Sequence, residues 1–386
     1  MARDLANILR INKLTPIPGK DKIVVATVEN WEVIVQKDQF EEGDLCVYIE
    51  YDTLLPITPT FEFLRKSCYS PKYDRFRIRN MKMAGVFSQG IVFPLSILPP
   101  EAVPGSVYKE GLVVADLLDI KKYDPEEPKV DIPKSKNKVH NFLMKNKLYR
   151  KSYMKLIGIG DKGYPSTIKE SDETNIQKVF NRLKSNYPNM LYYKTEKLEG
   201  QAATFCLKYK KGLLGKLFKF REYNIYSHHI KMKKGEGSNW DKVSKKYFIE
   251  DNLRKLKKNY TLQGEICGPG IQKNIYGFDD LNFFIYSIIE SETGRILPFT
   301  EMFSLLKNDY GPSPLIELVP ILSINTKLPE TVKEVIEDSN GASVLRLRTG
   351  DMREGVVWRS MTDPTISFKA KSPEYAIWFE GDNKRK

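Results

Sequence analysis

The sequence predicts an α+β protein of two or three domains, and three observations predict it. Short β-rich runs between Gly and Pro turns fill roughly the first 120 residues. A Pro-rich polar stretch follows, and beyond about residue 155 helical and strand periodicities intermingle with strands in the majority. The 386 residues allow two or three domains, at ~100–200 residues each. A hydrophobic share of 41%, with 11% aromatic, is enough for real cores and excludes wholesale disorder.

In the first part, strands are expected over 23–28 and 32–36. A Gly43–Asp44 turn then feeds 45–51, where Leu45, Val47 and Ile49 alternate with Cys46, Tyr48 and Glu50. Runs 76–80 and 85–94 are again strand-like, the second broken at 88–90. This pattern suggests a small OB-like β-barrel over 1–125. Arg75, Arg77 and Arg79 share one strand face by period-2 geometry, either an exposed sheet face or a nucleic-acid groove. Residues 126–155 read as a basic linker: from Lys134 to Lys155 there are seven lysines, Arg150 and no acid. In 156–386, helices are expected over 173–186 and 243–257, the lysines of the latter on its wet face. Strands are expected over 191–194, 202–208, 221–226, 261–267, 283–289, 355–359 and 365–369.

Lysine plus arginine number 62 against 49 acids, a formal charge of +13. Alone, this fits a polyanionic partner and ordinary solvated lysines equally well. There is no run of about 18 apolar residues and no signal-peptide core at the N-terminus. A soluble, intracellular monomer with no membrane partner is therefore expected. Four cysteines without CxxC spacing, and three histidines, argue against a structural zinc site or disulfide framework and favour a reducing compartment.

The chemistry-bearing residues come as a series. Lys197 lies between Glu196 and Glu199, three residues before Gly200; alone this is weak, because Lys-x-x-Gly recurs at Lys82, Lys155 and Lys234. Next comes Gln263-Gly264-Glu265, a carboxylate in a strand that ends in the Gly268-Pro269-Gly270 turn. An aromatic strand with Phe283, Phe284 and Tyr286 follows. Glu354 then opens the hydrophobic run Gly355-Val356-Val357-Trp358-Arg359, and Lys369 and Lys371 share a face of the last strand.

In this order the segments resemble the covalent nucleotidyltransferase superfamily of ATP-dependent ligases and mRNA capping enzymes. Lys197–Gly200 looks like motif I, Gln263–Glu265 like motif III, Phe284–Ile288 like motif IIIa, Glu354–Val357 like motif IV and Lys369–Lys371 like motif V. Fifteen residues follow Lys371, too few for the OB domain that DNA ligases and capping enzymes carry there. An N-terminal OB-like module instead resembles the Naegleria-type RNA ligases. Gly85–Gly90, Ser171–Gln177 and Gly268–Gln272 are also similar to that group.

The resemblance implies a nucleotidyltransferase domain of ATP-grasp-like antiparallel sheets plus helices, and an ATP-dependent RNA ligase joining 3′-OH and 5′-phosphate ends. It implies Lys197 as the nucleophile and Lys369 and Lys371 as the α-phosphate's cations. Glu265 and Glu354 would be carboxylates for Mg²⁺ or Mn²⁺, and Glu196, Gly200 and His228 would lie around the nucleotide. Phe284 or Tyr286 would stack on the base; strand period does not choose between them, and the superfamily pattern favours Tyr286. Three departures stand out: Glu199 where an aspartate is usual, Ser227-His228-His229 in place of Ser-Arg-Asn, and Asn175 where arginine is common. Trp240 is expected as a packing anchor, and Cys267 in the core on the strand face opposite Glu265. RNA is the expected partner, with an end-healing kinase or phosphatase possible. The alternatives are a DNA or hybrid-nick ligase, or a non-catalytic RNA-binding protein that keeps the fold.

Overall fold

The computed structural model describes residues 4–99, 108–123, 164–169, 172–210, 218–228, 231–232, 237–310, 316–345 and 352–382. The expected linker at 126–155 and His229 lie outside these residues.

The N-terminal strands are β1 (Ala6–Ile17), β2 (Lys20–Val28), β3 (Trp31–Gln36), β4 (Leu45–Ile49), β5 (Thr53–Leu55), β6 (Tyr69–Ser70), β7 (Arg75–Ile78), β8 (Met81–Met83), β9 (Val86–Ser88), β10 (Ile91–Pro94) and β11 (Lys121–Lys122). One sheet runs β10-β4-β1-β2-β3, a second β11-β5-β7-β6, and β8 and β9 pair as a hairpin. The long β1 pairs with β4 through Ala6–Arg10 and with β2 from Ile11 onward, and its register breaks between Ile11 and Lys13. Such an irregularity bends a strand, which lets one strand serve both halves of a curled sheet. The alternation in β4 does not separate core from solvent. Val47 and Ile49 face a cluster with Phe61, Phe76 and Phe93, whereas Cys46 and Tyr48 face a second with Trp31, Val33 and Val92.

The second part contains α1 (Ile176–Asn186), β12 (Leu191–Lys197), β13 (Gln201–Tyr209), β14 (Arg221–Tyr226), β15 (Lys231–Met232), α2 (Asn239–Lys246), α3 (Ile249–Lys255), β16 (Tyr260–Cys267), β17 (Asn282–Glu290), α4 (Phe299–Asn308), β18 (Glu317–Leu318), β19 (Ile321–Lys327), α5 (Val332–Ser339), β20 (Gly355–Ser360), β21 (Ser367–Lys371) and α6 (Pro373–Asp382). They build a four-stranded sheet, β19-β12-β20-β21, and a six-stranded one, β15-β14-β13-β16-β17-β18. Helices α1 and α5 cover the smaller sheet through Ile176, Phe180, Val335, Trp358 and Phe368. Trp358 is 1% exposed, so truncating it to Ala would cost about 3–5 kcal/mol. Helices α2, α3 and α4 cover the larger sheet through Val243, Leu253 and Met302. A further cluster of Leu198, Cys267, Tyr276, Phe284 and Val319 sits where β12 runs into β13 and β18 leads to β19.

The helix expected over 243–257 is two helices, broken at Phe248, which is left-handed (φ 48°) and 54% exposed. Apolar spacing carries no trace of the break, because Val243 and Tyr247 before it and Ile249 and Leu253 after it enter one core. The helix expected from 173 begins at Ile176, since the preceding residues are extended: Asn175 bridges Lys369 and Thr174 O accepts from Lys369 N at 2.8 Å. Helices α4, α5 and α6 and strand β19 were not anticipated. The start of α5 was legible as a capping box, Thr331 bonding Glu334 N at 3.2 Å and Glu334 bonding Thr331 N at 3.1 Å.

The first turn of α1 joins the two parts. Tyr51 OH donates to Asn175 Oδ1 at 3.1 Å, Asn30 Nδ2 donates to Gln177 O at 2.8 Å, and Lys178 pairs with the buried Glu50. The N-terminal module is thereby fixed against the face on which β21 ends.

At the far end of β17, Glu290 accepts from Arg295 at 3.0 Å and Lys258 at 2.8 Å; these bonds, Arg295 first, outweigh burial and hold its carboxyl down at about 2. A depressed pKa adds stability above the unfolded value near 4.5, and that stability is lost as pH falls toward 2. Glu290→Gln is therefore expected to lower the thermal midpoint at pH 6, by a margin that narrows steadily between pH 5 and pH 3. A margin independent of pH would contradict this assignment.

Candidate functional site

Strand pairing decides which side chains meet. Lys197 is the last residue of β12 and lies opposite Gly355 of β20, which in turn lies opposite Lys371 of β21. Lys197, Glu354 and Lys371 consequently converge. Lys197 Nζ donates to Glu354 Oε2 at 2.6 Å, and Lys371 Nζ lies 4.0 Å from Glu354 Oε1. Val357 lies opposite Lys369, so the two lysines of β21 share the face turned to the same cavity.

This cavity of about 370 Å³ lies between the two sheets and is closed on one side by the N-terminal module. That is within the ~300–1,000 Å³ usual for ligand sites. Glu265, from β16, lines it from the larger sheet. A side chain at Gly200 would put its Cβ 2.5 Å from Ile266 O and 2.6 Å from Glu265 Cγ, so only glycine lets the chain turn from β12 into β13 beside that carboxylate. Cys267 is buried as expected, but on the same face as Glu265: its Sγ would lie 3.0 Å from that Cβ.

The two aromatic candidates separate. Phe284 is 4% exposed and belongs to the core cluster beneath the cavity, against which Tyr286 also packs. Tyr286 lines the cavity. A register shift lies beside it: Gln263 lies opposite Ser287 but Gly264 opposite Ile285, leaving Tyr286 as the extra residue of a bulge. Bulges re-aim side chains, and strict alternation cannot reveal them. Arg359 sits 5.5 Å from the Tyr286 ring centroid.

The remaining candidates also reach the cavity. Glu196 is 1% exposed; burial raises its pKa, against hydrogen bonds from Ser343 and from Val344 N, the latter at 2.8 Å. His228 Nε2 lies 3.4 Å from Lys122 Nζ. Glu199 accepts a hydrogen bond from Tyr375 OH. Burial first, then the nearby Glu354 carboxylate, push its pKa up to about 8 against the pull of Lys197 and Lys273. Trp240, outside the cavity, is the anchor expected, donating from Nε1 to Ala202 O at 2.9 Å.

Several cavity residues were missed. Asp52, after β4, accepts from Lys371 at 2.8 Å and from Arg77 at 3.0 Å. Asp172 accepts from Lys369 and from Lys122, each at 2.5 Å. Burial would raise the Asp172 pKa, but these two ammonium groups outweigh it and hold the carboxyl well below its usual range. Arg77 thus points into this cavity, while Arg75 pairs with Asp119. Asp172 and Lys369 are 197 positions apart and Asp52 and Lys371 are 319 apart, beyond the reach of local spacing. The Ser171–Gln177 phrase was the one available signal for Asp172. Among the described residues no cluster of three or more His, Cys, Asp or Glu is arranged to hold a metal; Glu265 and Glu354 both line the cavity, as do Glu196 and Glu199.

Residues 5–95 match an OB-fold domain family, and residues 191–371 match the RNA ligase family. No curated protein matches the chain. Solved structures of Naegleria gruberi RNA ligase superpose on nearly the whole chain. A mutant without ligand gives a TM-score of 0.77 at 24% identity, covering 98% of this chain and 99% of that one. The complex with PPi gives 0.76 at 24%, covering 99% and 100%. A mutant with ATP and Mn gives 0.76 at 24%, covering 98% of each. The fold is therefore the one in those structures, an OB-fold module followed by a mixed α+β domain.

Gly200→Ala tests the tight turn. It is expected to cost about 1–3 kcal/mol through overpacking, measured as a lowered urea midpoint with unchanged slope. An unchanged midpoint would show that β13 and β16 can part without penalty.

Proposed function

We propose that this chain, an OB-fold domain followed by a domain of the RNA ligase family, is an ATP-dependent RNA ligase that joins 3′-OH and 5′-phosphate ends. The observation that carries this reading is the meeting of Lys197, Glu354, Lys369, Lys371 and Glu265 around one cavity, with Lys197 Nζ 2.6 Å from Glu354 Oε2.

A lysine attacks phosphorus only as the free amine, and the ordinary lysine pKa is about 10.4. Lys197 already hands a hydrogen bond to Glu354, which gives its proton an acceptor at 2.6 Å. Attack of Nζ on the α-phosphorus of ATP forms an N–P bond as the bond to pyrophosphate breaks. Lys369 and Lys371, presented on one strand face, stabilise the charge gathering on the α-phosphate oxygens. To do so they exchange Asp172 and Asp52 for phosphate, an exchange of one anion for another with little net change in pairing. Tyr286 offers a ring face to the purine, backed by Arg359.

Glu265 and Glu354 suit Mg²⁺ or Mn²⁺ in chemistry: two hard oxygen donors leave room for waters and substrate phosphates. Such an ion would favour the unprotonated amine and neutralise the phosphates. In the later steps, AMP passes from Lys197 to the RNA 5′-phosphate, and the 3′-OH then displaces AMP to form the phosphodiester.

With ATP and Mg²⁺, the protein is expected to join 5′-phosphate and 3′-OH RNA ends. Joining should vanish in Lys197→Ala and on chelation of the metal. No joining of RNA under any of these conditions would overturn the reading. Joining of DNA nicks alone would replace it with a DNA ligase, and transfer from GTP alone with a capping-type activity.

A further inference from the structure

The cavity has a second end that the adenylylation chemistry leaves unused. Along β20 it begins at Arg359, beside Tyr286 and opposite Tyr193, and reaches the nucleophile at Gly355 opposite Lys197. Past Lys371 the chain enters α6, and Tyr375, Ala376 and Phe379 of that helix continue the wall. Facing them is the loop 268–277. Gln272 Nε2 holds Gly200 O at 3.0 Å, and Lys273 Nζ holds Phe379 O at 2.9 Å. The Lys273 ammonium also lies 4.1 Å from the Phe379 ring centroid.

The loop is unusual in its backbone. Gln272 and Asn274 both have φ 44°, a left-handed conformation that non-glycine residues hold at a cost. Its first residues, Gly268–Gln272, stood out in the sequence without acquiring a role. Lys273 is exposed, on a flexible stem. Swinging its ammonium onto an incoming phosphate would uncover an aromatic face beside it. A cation next to an aromatic ring, at the edge of a phosphate-handling cavity, is what a single-stranded nucleotide recognises.

We propose that Lys273 and Phe379 seat the 5′-terminal nucleotide of the RNA, Lys273 on its phosphate and Phe379 against its base. This rests on the ligase reading. In the step served, an oxygen of the RNA 5′-phosphate attacks the adenylyl phosphorus. The new P–O–P linkage forms as the Lys197 N–P bond breaks, and the leaving amine takes up a proton. Neither residue is among those assigned above to the attack on ATP.

The test separates the two half-reactions. Lys273→Ala, Phe379→Ala and Phe379→Tyr are loaded with AMP from ATP, and transfer to a 5′-phosphorylated RNA is then followed in a single turnover. Loading is expected to be unchanged in all three. Transfer should slow by about tenfold or more in the alanine variants, as loss of a base-stacking or phosphate contact implies, and Phe379→Tyr should retain it. Wild-type transfer rates in both alanine variants, or loading and transfer falling together, would overturn the proposal. A wild-type protein that takes no AMP from ATP overturns the ligase reading itself, and this proposal with it.

Discussion

The site depends first on one constraint, the register of β12, β20 and β21. Lys197, Gly355 and Lys371 lie in a row across three strands, which is why Lys197 and Glu354 meet at 2.6 Å. A slip of one residue in either pairing would turn Lys197 away from the cavity or carry Lys369 and Lys371 to the helix-covered face. Close packing guards against it. A side chain at Gly355 would run into Ala370 O, and Trp358 and Phe368 stack at 5.7 Å behind the same strands.

Charge pairing across the modules is the second layer. The two lysines of β21 reach carboxylates from the N-terminal module and from the segment before α1, so the cavity is balanced before any phosphate enters. Such pairs are poor sources of stability, because desolvation offsets much of their attraction. Their value lies in position: each ammonium is held at the wall of the cavity by its carboxylate. Asp52 and Asp172 thereby make the N-terminal module part of the cavity rather than an attachment to it.

Much of this was legible in the sequence because strand period and motif order are local properties. Lys197, Glu265, Glu354, Lys369 and Lys371 could be named, and all of them reach one cavity. What escaped depends on pairing between distant segments. The bulge at Tyr286 exists only in the register of β16 with β17. The partners Asp52 and Asp172 have no local signature, and the break at Phe248 is masked because both helices bury one face. Glu199 was visible as a departure. Its partner emerges only with α6 in place: its carboxylate reaches the Tyr375 hydroxyl.

The central claim is that Lys197 is the residue to which the nucleotide becomes attached. The direct measurement is peptide mapping by mass spectrometry after incubation with ATP and Mg²⁺. The account predicts one adenylyl group per chain, on Lys197 alone, labile to acid as a phosphoramidate should be. An adenylyl group on Lys194, Lys369 or any other lysine, or efficient RNA joining with Lys197 unmodified throughout, would contradict it.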